Sequence, residues 1–453
     1  MMHPLLPEAL LLLVIFGLAA LDAWLWPRRE GRGFSHAGFF CLLLPLTAAL
    51  AMWGSGTVSG IPWLGIDPYY ESWRVLLLTL GVLVAALDAG GRPESDRGAE
   101  TTLLLIGVAG GLLAVASRHL LLTYGGLELT ALALMARSVR HGGSPLPPLS
   151  RWLAAHIVAA ALMLIGAATL AAQSGDLSYE ALRRLEPGPT SMVGGILLLV
   201  GICMRAACIP FHGWLPPLTR RPSQELTLAL VLGVIPAVAV LARWLADPLG
   251  ATEGLGEMLV LVGLVSATAG NLLALVQRDL RRLLVFGLII HGGYAVMAIG
   301  VAGGPDAHLL QMIVGAVALV GLAAATDFRS EQITAAGLAA RRPLLAAAVC
   351  VCLLALAGVP PLLGFVARTR LLGDLAVYDE HLFLVAAANV AVTAWVFVAA
   401  SGRVLFAPRA PQPLPPARPE RTAVLVLAAG ILLTFGLWPA PLVDLLAACD
   451  ILH

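Results

Sequence analysis

The sequence predicts an all-α polytopic membrane protein with about fourteen transmembrane helices, and three observations carry that prediction. Hydrophobic residues make up 59% of the 453 and charged residues only 12%, with a mean hydropathy of +0.90; a soluble domain carries roughly twice that charged fraction. Apolar stretches long enough to cross about 30 Å of hydrocarbon recur along the whole chain. The ionisable residues inside them are few, and each costs about 2.5 to 3.5 kcal/mol at mid-helix unless a partner or water holds it.

The first stretch, residues 5 to 26, has Glu8 near its start and no basic leader, and it runs into thirteen more spans, so it reads as a retained helix and not a cleaved signal. Spans two and three lie near residues 38 to 55 and 72 to 89. Spans four and five, 100 to 116 and 119 to 136, carry the pairs Gly110-Gly111 and Gly125-Gly126, which allow close helix approach, and Glu128. Span six, 152 to 173, is opened by Arg151 and contains His156. Span seven, 190 to 209, holds Arg205 and is interrupted at Pro210. Span eight is 224 to 245, span nine 257 to 276, span ten 282 to 301 with His291, and span eleven 307 to 326. Span twelve, 343 to 366, is interrupted at Pro360-Pro361, with Arg368 just beyond. Spans thirteen and fourteen are 381 to 401 and 422 to 446. The Pro-rich, basic stretch from Pro408 to Pro419 reads as a PPII-like cytoplasmic linker.

Proline at membrane depth frees backbone carbonyls that protein or water must satisfy, so the breaks in helices 7 and 12 mark cavities. If spans four to eight and nine to thirteen are two five-helix repeats, each break falls in the fourth helix of its repeat. Five is odd, so the repeats are inverted, an arrangement that builds a midplane site. The expected organisation is residues 1–99 for the first three helices, 100–246 and 247–402 for the two repeats, and 403–453 for the linker and last helix.

The chain has no lysine, so all 28 basic residues are arginine. Twenty lie in or beside odd-numbered loops and five in even ones. The positive-inside rule therefore puts the odd loops in the cytoplasm and both termini on the other side of a prokaryotic inner membrane. A net charge of +1 excludes a nucleic-acid surface. The six cysteines lack metal-ligand spacing, and no nucleotide loop, haem motif or iron–sulfur run is present. No metal or cofactor is expected on this chain. Arg205, Glu128 and Arg368, charges set among apolar residues, point to ion movement.

Four blocks bring a family into view. Met204-Arg205-Ala206-Ala207-Cys208-Ile209-Pro210-Phe211-His212-Gly213-Trp214-Leu215-Pro216 resembles the K-x-x-x-x-P-F-H-x-W-L-P signature of the antiporter-like subunits of proton-pumping NADH:quinone oxidoreductase (complex I), relatives of Mrp-type antiporter and membrane-bound hydrogenase subunits. Ala274 to Leu284 followed by His291-Gly292-Gly293-Tyr294 is similar to A-L-x-Q-x-D-x-K-R-L-L…H-x-G-Y. Arg341-Arg342-Pro343 through Gly358-Val359-Pro360-Pro361 to Arg368 resembles R-x-P…L-A-G-x-P-P-x-x-G-F-x-x-K, and Arg118 to Leu129 resembles D-L-L-x-x-x-x-x-x-E-L. The blocks cover about residues 100 to 370. Leu6-Pro7-Glu8, Asp22 and the absence of a long lateral helix after span fourteen resemble the N-type subunit.

The resemblance implies a subunit of a redox-driven proton pump. Other membrane subunits would be its partners, flavin, iron–sulfur clusters or a nickel–iron site would lie in those partners, and quinone would bind in the assembly. It also implies a proton pathway through Glu128, Arg205, His291, Arg368, His212 and Arg151. Glu128 would be the switchable carboxylate facing Arg205. Arg205, Arg368 and Arg151 stand where the family has lysine, and guanidinium does not release a proton in a protein. The family's central eighth-span lysine is replaced by the apolar Val234-Ile235-Pro236. His291 can titrate near neutrality, His212 would cap the break at Pro210, and His156 reads as a satisfied core histidine. Asp279 with Arg281 and Arg282 reads as a surface ion pair. These departures keep three readings open: a conducting complex I subunit, an Mrp or hydrogenase-type subunit moving protons or sodium, and a degenerate structural subunit.

Overall fold

The computed structural model describes residues 3–25, 37–53, 61–89, 97–140, 146–220, 227–250, 252, 254–301, 305–326, 338–406 and 418–447. Most of the Pro-rich linker lies outside them, as do Asp327 and Arg329. The described residues are helical: α1 (Leu6–Leu25), α2 (Ala37–Met52), α3 (Pro68–Ala89), α4 (Arg97–Ala116), α5 (Leu120–Arg140), α6 (Leu146–Ser174), a short α7 (Tyr179–Arg183) and α8 (Pro189–Arg205). Two 3-10 turns, Phe211–Trp214 and Pro216–Arg220, follow the first break, and a π-helical segment, Ala229–Val234, leads into α9 (Ile235–Ala246). Then come α10 (Leu255–Leu275), α11 (Leu280–Gly300), α12 (Pro305–Ala325), α13 (Leu338–Arg341), α14 (Pro343–Ala357), α15 (Leu363–Tyr378), α16 (Glu380–Phe406), α17 (Pro419–Leu437) and α18 (Ala440–Ala447).

Among the described residues ten helices are long and apolar enough to cross a membrane, and four shorter apolar ones accompany them. Only 28% of the apolar window of α16 is buried, against all of that of α11. Helix α16 turns Leu384, Val385, Trp395 and Val398 outward, which is the pattern of a lipid-facing or neighbour-facing helix around a central one.

Local chemistry sets the helix starts. The Asp67 carboxylate accepts the Tyr70 N–H at 2.8 Å, and Pro68, which has no N–H to lose, opens α3. Asp279 caps α11 by accepting the Arg281 N–H at 3.0 Å. The cap is a role that the reading of this carboxylate as part of a surface ion pair did not include.

The helices form two compact units. One comprises Met1–Ala206, Leu228–Leu255 and Ala448–His453; the other comprises Ala207–Thr227 and Gly256–Ala447. In the first, α4 and α5 cross at Gly110 and Gly126. A Cβ built on Gly126 would sit 2.6 Å from the Ala114 backbone nitrogen, and one on Gly110 would sit 2.8 Å from the Gly126 carbonyl oxygen. Backbone cannot yield as a side chain can, so Gly126→Leu is expected to destabilise the fold by about 1–3 kcal/mol. A thermal-unfolding midpoint unchanged from wild type would overturn that close-crossing account.

In the second unit α14 ends at Gly358, whose φ of 78° lies in the left-handed region that lacks a Cβ penalty only for glycine. Both breaks contain a cis X–Pro bond, Ile209–Pro210 and Pro360–Pro361. Beyond the second break α15 runs to Tyr378, about three turns further than the apolar pattern indicates, and Arg368 lies buried within it.

The eighth span is irregular where the family's lysine is absent. Pro236 has no N–H for the carbonyl four residues back. The preceding turns widen instead, and Ile235 N–H donates to Leu230 O, five residues back. The side chains of this segment are apolar and buried.

Candidate ion-translocation site

In the first unit Arg205 is the last residue of α8, where the helix dipole favours a cation. It is 3% exposed, its Nη2 pairs with Glu128 Oε1 on α5, and its Nη1 donates to Leu127 O at 3.2 Å. Tyr124, one turn before Glu128, interacts with both charges. His156 packs against Trp152 with ring centroids 4.1 Å apart, and its Nδ1 donates to Trp152 O at 3.0 Å. It is a buried, satisfied histidine beside the pair.

Sequence reasoning counted three charges among apolar residues. The structure buries more, including Arg74, Arg137, Arg243, Arg421 and Glu71. These sit near span ends, which sequence alone assigns to loops; in the fold their side chains turn back onto neighbouring helices. Asp67 receives Arg243 through two bonds of 2.8 Å, and Arg118 reaches it at 3.4 Å. Burial pushes the Asp67 carboxyl up, but the Arg243 guanidinium, the Tyr70 N–H and Arg118 outweigh it and hold the group below the usual carboxylate range. Arg243 also lies 5.2 Å over the Tyr69 ring, and Tyr69 O–H donates to Ala239 O at 2.9 Å.

A second cluster gathers at the same end of α3. Tyr70 O–H donates to Glu8 Oε1 at 2.6 Å, while Arg74 reaches Glu8 at 3.3 Å and Glu71 at 3.8 Å. At the other end of α3, Arg137 pairs with Asp88 and donates to Glu100 O at 2.8 Å. The available signals for these residues were the Asp67-Pro68 cap and the i,i+3 spacing of Glu71 and Arg74.

In the second unit Arg368 of α15 is 3% exposed, and no carboxylate among the described residues pairs with it. Nη1 donates to Gln311 Oε1 on α12 at 2.7 Å, and Nη2 approaches His291 Nε2 on α11 at 3.3 Å and Leu356 O at 3.5 Å. The guanidinium carbon lies 3.9 Å from the Tyr294 ring centroid, a cation–π contact. From Tyr294 a polar chain runs through Thr393 (2.8 Å), Asn271 (2.9 Å) and Asn389 (3.2 Å) to Thr268 (3.0 Å). Neither Gln311 nor this chain stands out in the sequence, because neutral polar residues cost little in an apolar run.

The structure thus brings Glu128 to Arg205 and His291 to Arg368. Arg151 is exposed in the first turns of α6 and does not join the Glu128 pair. His212 is half-buried in the turn after Pro210, close to the Pro210 backbone, and does not join the His291 set. Among the described residues no group of three or more His, Cys, Asp or Glu is placed to hold a metal ion.

An apolar helix array with two proline-broken helices and a buried charge set in each unit defines a polytopic membrane protein. The chain belongs to the NADH:quinone oxidoreductase/Mrp antiporter transmembrane family, whose model matches residues 117–394. It is 30% identical to NADH-quinone oxidoreductase subunit 14 of Thermus thermophilus, over 92% of this chain and 94% of that one. It is 28% identical to NADH-quinone oxidoreductase subunit N 2 of Syntrophobacter fumaroxidans, over 84% of each. A chain of respiratory complex I from Thermus thermophilus superposes with a TM-score of 0.85 at 28% identity, covering 98% of this chain and all of that one. A chain of the Mrp complex from Dietzia sp. shares the fold with a TM-score of 0.87 at 20% identity, covering 98% and 97%.

Proposed function

We propose that this chain is the N-type, antiporter-like membrane subunit of a complex I-type NADH:quinone oxidoreductase, moving protons while partner subunits carry out the electron transfer. The observation that carries this reading is the Glu128–Arg205 pair, a carboxylate and a buried guanidinium held where α8 ends at its break. Glu128 is the member of the pair able to exchange a proton, so a neighbouring charge that opens or closes the pair is coupled to proton movement. Arg205 sets the field and does not itself exchange the proton. Its partners are other membrane subunits, whose arm carries flavin and iron–sulfur clusters. The protein lies in the inner membrane with both termini on the non-cytoplasmic side, as its arginine distribution supports.

One observation favours a structural subunit that has stopped conducting: the apolar π-helical stretch Ala229–Val234 and Pro236, which hold no titratable group. The test is NADH-driven proton uptake by the purified assembly in sealed vesicles, read with a pH dye with and without sodium. Sodium-independent uptake that Glu128→Gln lowers is expected. Uptake that requires sodium would establish the Mrp-type reading, and uptake indifferent to Glu128 the structural one.

A further inference from the structure

The contact between Arg368 and His291 has a definite proton arrangement. Guanidinium has five N–H donors and no acceptor. In the 3.3 Å contact, therefore, Arg368 Nη2–H donates and His291 Nε2 accepts. Nε2 must be bare, and a neutral ring then carries its proton on Nδ1. An N–H on Nε2 would point at another N–H, and a charged imidazolium would face a charged guanidinium with no carboxylate between them.

Arg368 is held in that position from two further sides. Gln311 is oriented by its own Nε2, which donates to Ala367 O at 2.9 Å, so that Oε1 is the end turned to Nη1. Thr393 has one hydroxyl hydrogen, which goes to Asn271 Oδ1 or Asn389 O, each at 2.9 Å. Tyr294 O–H therefore donates to Thr393, which fixes the ring lying against the guanidinium. Arg368 is the charged group acting on His291; the other titratable side chains closest along the packed helices are Tyr294, one turn later on α11, and His308, one turn before Gln311 on α12.

We propose that a proton on His291 Nε2 and the Arg368 contact exclude each other, and that Gln311 and Tyr294 are positioning residues that hold this gate closed by pinning the guanidinium. Opening breaks one hydrogen bond: Nη2 leaves Nε2 for Leu356 O, and the incoming proton binds the freed lone pair. No other bond changes. A lysine could release its own proton in this position, whereas arginine can only step aside, so here the histidine becomes the exchanging group. The consequence for transport rests on the proton-pumping reading; the tautomer and its control do not.

The test is nitrogen-15 solid-state NMR of the intact assembly in lipid, with labelled histidine, the His291 signals being assigned by their loss in His291→Gln. At neutral pH the wild-type ring is expected to show a protonated Nδ1 and a bare Nε2. Gln311→Leu and Tyr294→Leu are expected to lose that signature in favour of protonated Nε2. Protonated Nε2 in the wild type overturns the gate without any variant being needed. An unchanged tautomer in folded Gln311→Leu and Tyr294→Leu overturns their positioning role. Proton uptake measured on the same samples separates the two ideas: a tautomer that responds while the flux does not would leave the gate standing and remove it from the transport path.

Discussion

Replacing Glu128 by glutamine is expected to slow proton transfer through this chain about a hundredfold, the lower end of what a positioned proton-transfer group contributes. Glutamine keeps the size of the side chain and an oxygen for Arg205, but it cannot hold a proton near neutral pH. The charge cost is partial, because the Glu128 side chain is 27% exposed and water can compensate the guanidinium. The variant is therefore expected to assemble, with the defect appearing in initial rates of vesicle acidification and not in subunit content on a native gel. Glu180→Gln serves as the control. Its pair with Arg184 is solvent-exposed on both sides, and such pairs contribute about 0–1 kcal/mol. Equal rates in Glu128→Gln and Glu180→Gln would end the pumping role of the pair.

Loss of the Asp67 carboxylate is expected to damage folding rather than transport. Arg243 is fully buried and donates two hydrogen bonds to this one acid. Breaking a buried pair by removing one partner leaves an uncompensated charge and costs about 3–5 kcal/mol. Because Asp67 is itself 21% exposed, the lower end applies to Asp67→Leu. Replacing both members, Asp67→Leu with Arg243→Leu, is expected to recover most of that loss, since paired apolar replacements of buried ion pairs are often neutral. Unfolding midpoints of the purified assembly for the two single variants and the double variant give the coupling; purely additive losses would show that the bridge is not what joins α3 to α9.

The same carboxylate predicts an acid limb. Its folded-state affinity for protons is lowered by Arg243, so its stabilisation is fully present above the unfolded value of about 3.9 and is lost as pH falls through the depressed folded value. Stability from this source is flat across neutral pH. Asp67→Asn should remove that part of the acid dependence while leaving the neutral plateau lower but level.

The membrane class, the apolar spans and the two breaks are legible in the sequence because they rest on local properties: hydropathy over about twenty residues and the missing N–H of proline. Glu128, Arg205 and Arg368 are legible for a related reason, since a charge amid leucines and alanines is conspicuous wherever it points. Charges at span ends are different. Arg74, Arg137 and Arg243 carry no mark that separates a side chain reaching solvent from one folding back onto a neighbouring helix, and in this fold all three are buried. Asp279 has a helix-capping role that its reading as half of a surface pair did not include.

What the sequence determined by itself is therefore one-dimensional: where the chain enters hydrocarbon, where a helix must break, and which ionisable groups have no easy exit. The pairings belong to tertiary structure. Glu128 meets Arg205 across 77 positions of sequence, Arg243 meets Asp67 across 176, and Arg368 finds a glutamine, a tyrosine ring and a histidine in place of a carboxylate. The physical reason is that apolar spans are interchangeable in their attraction to lipid, so helix neighbours are chosen by glycine contacts such as Gly110 against Gly126 and by the few polar groups that must be satisfied inside. Those choices are made between segments far apart in the chain, where no local pattern records them.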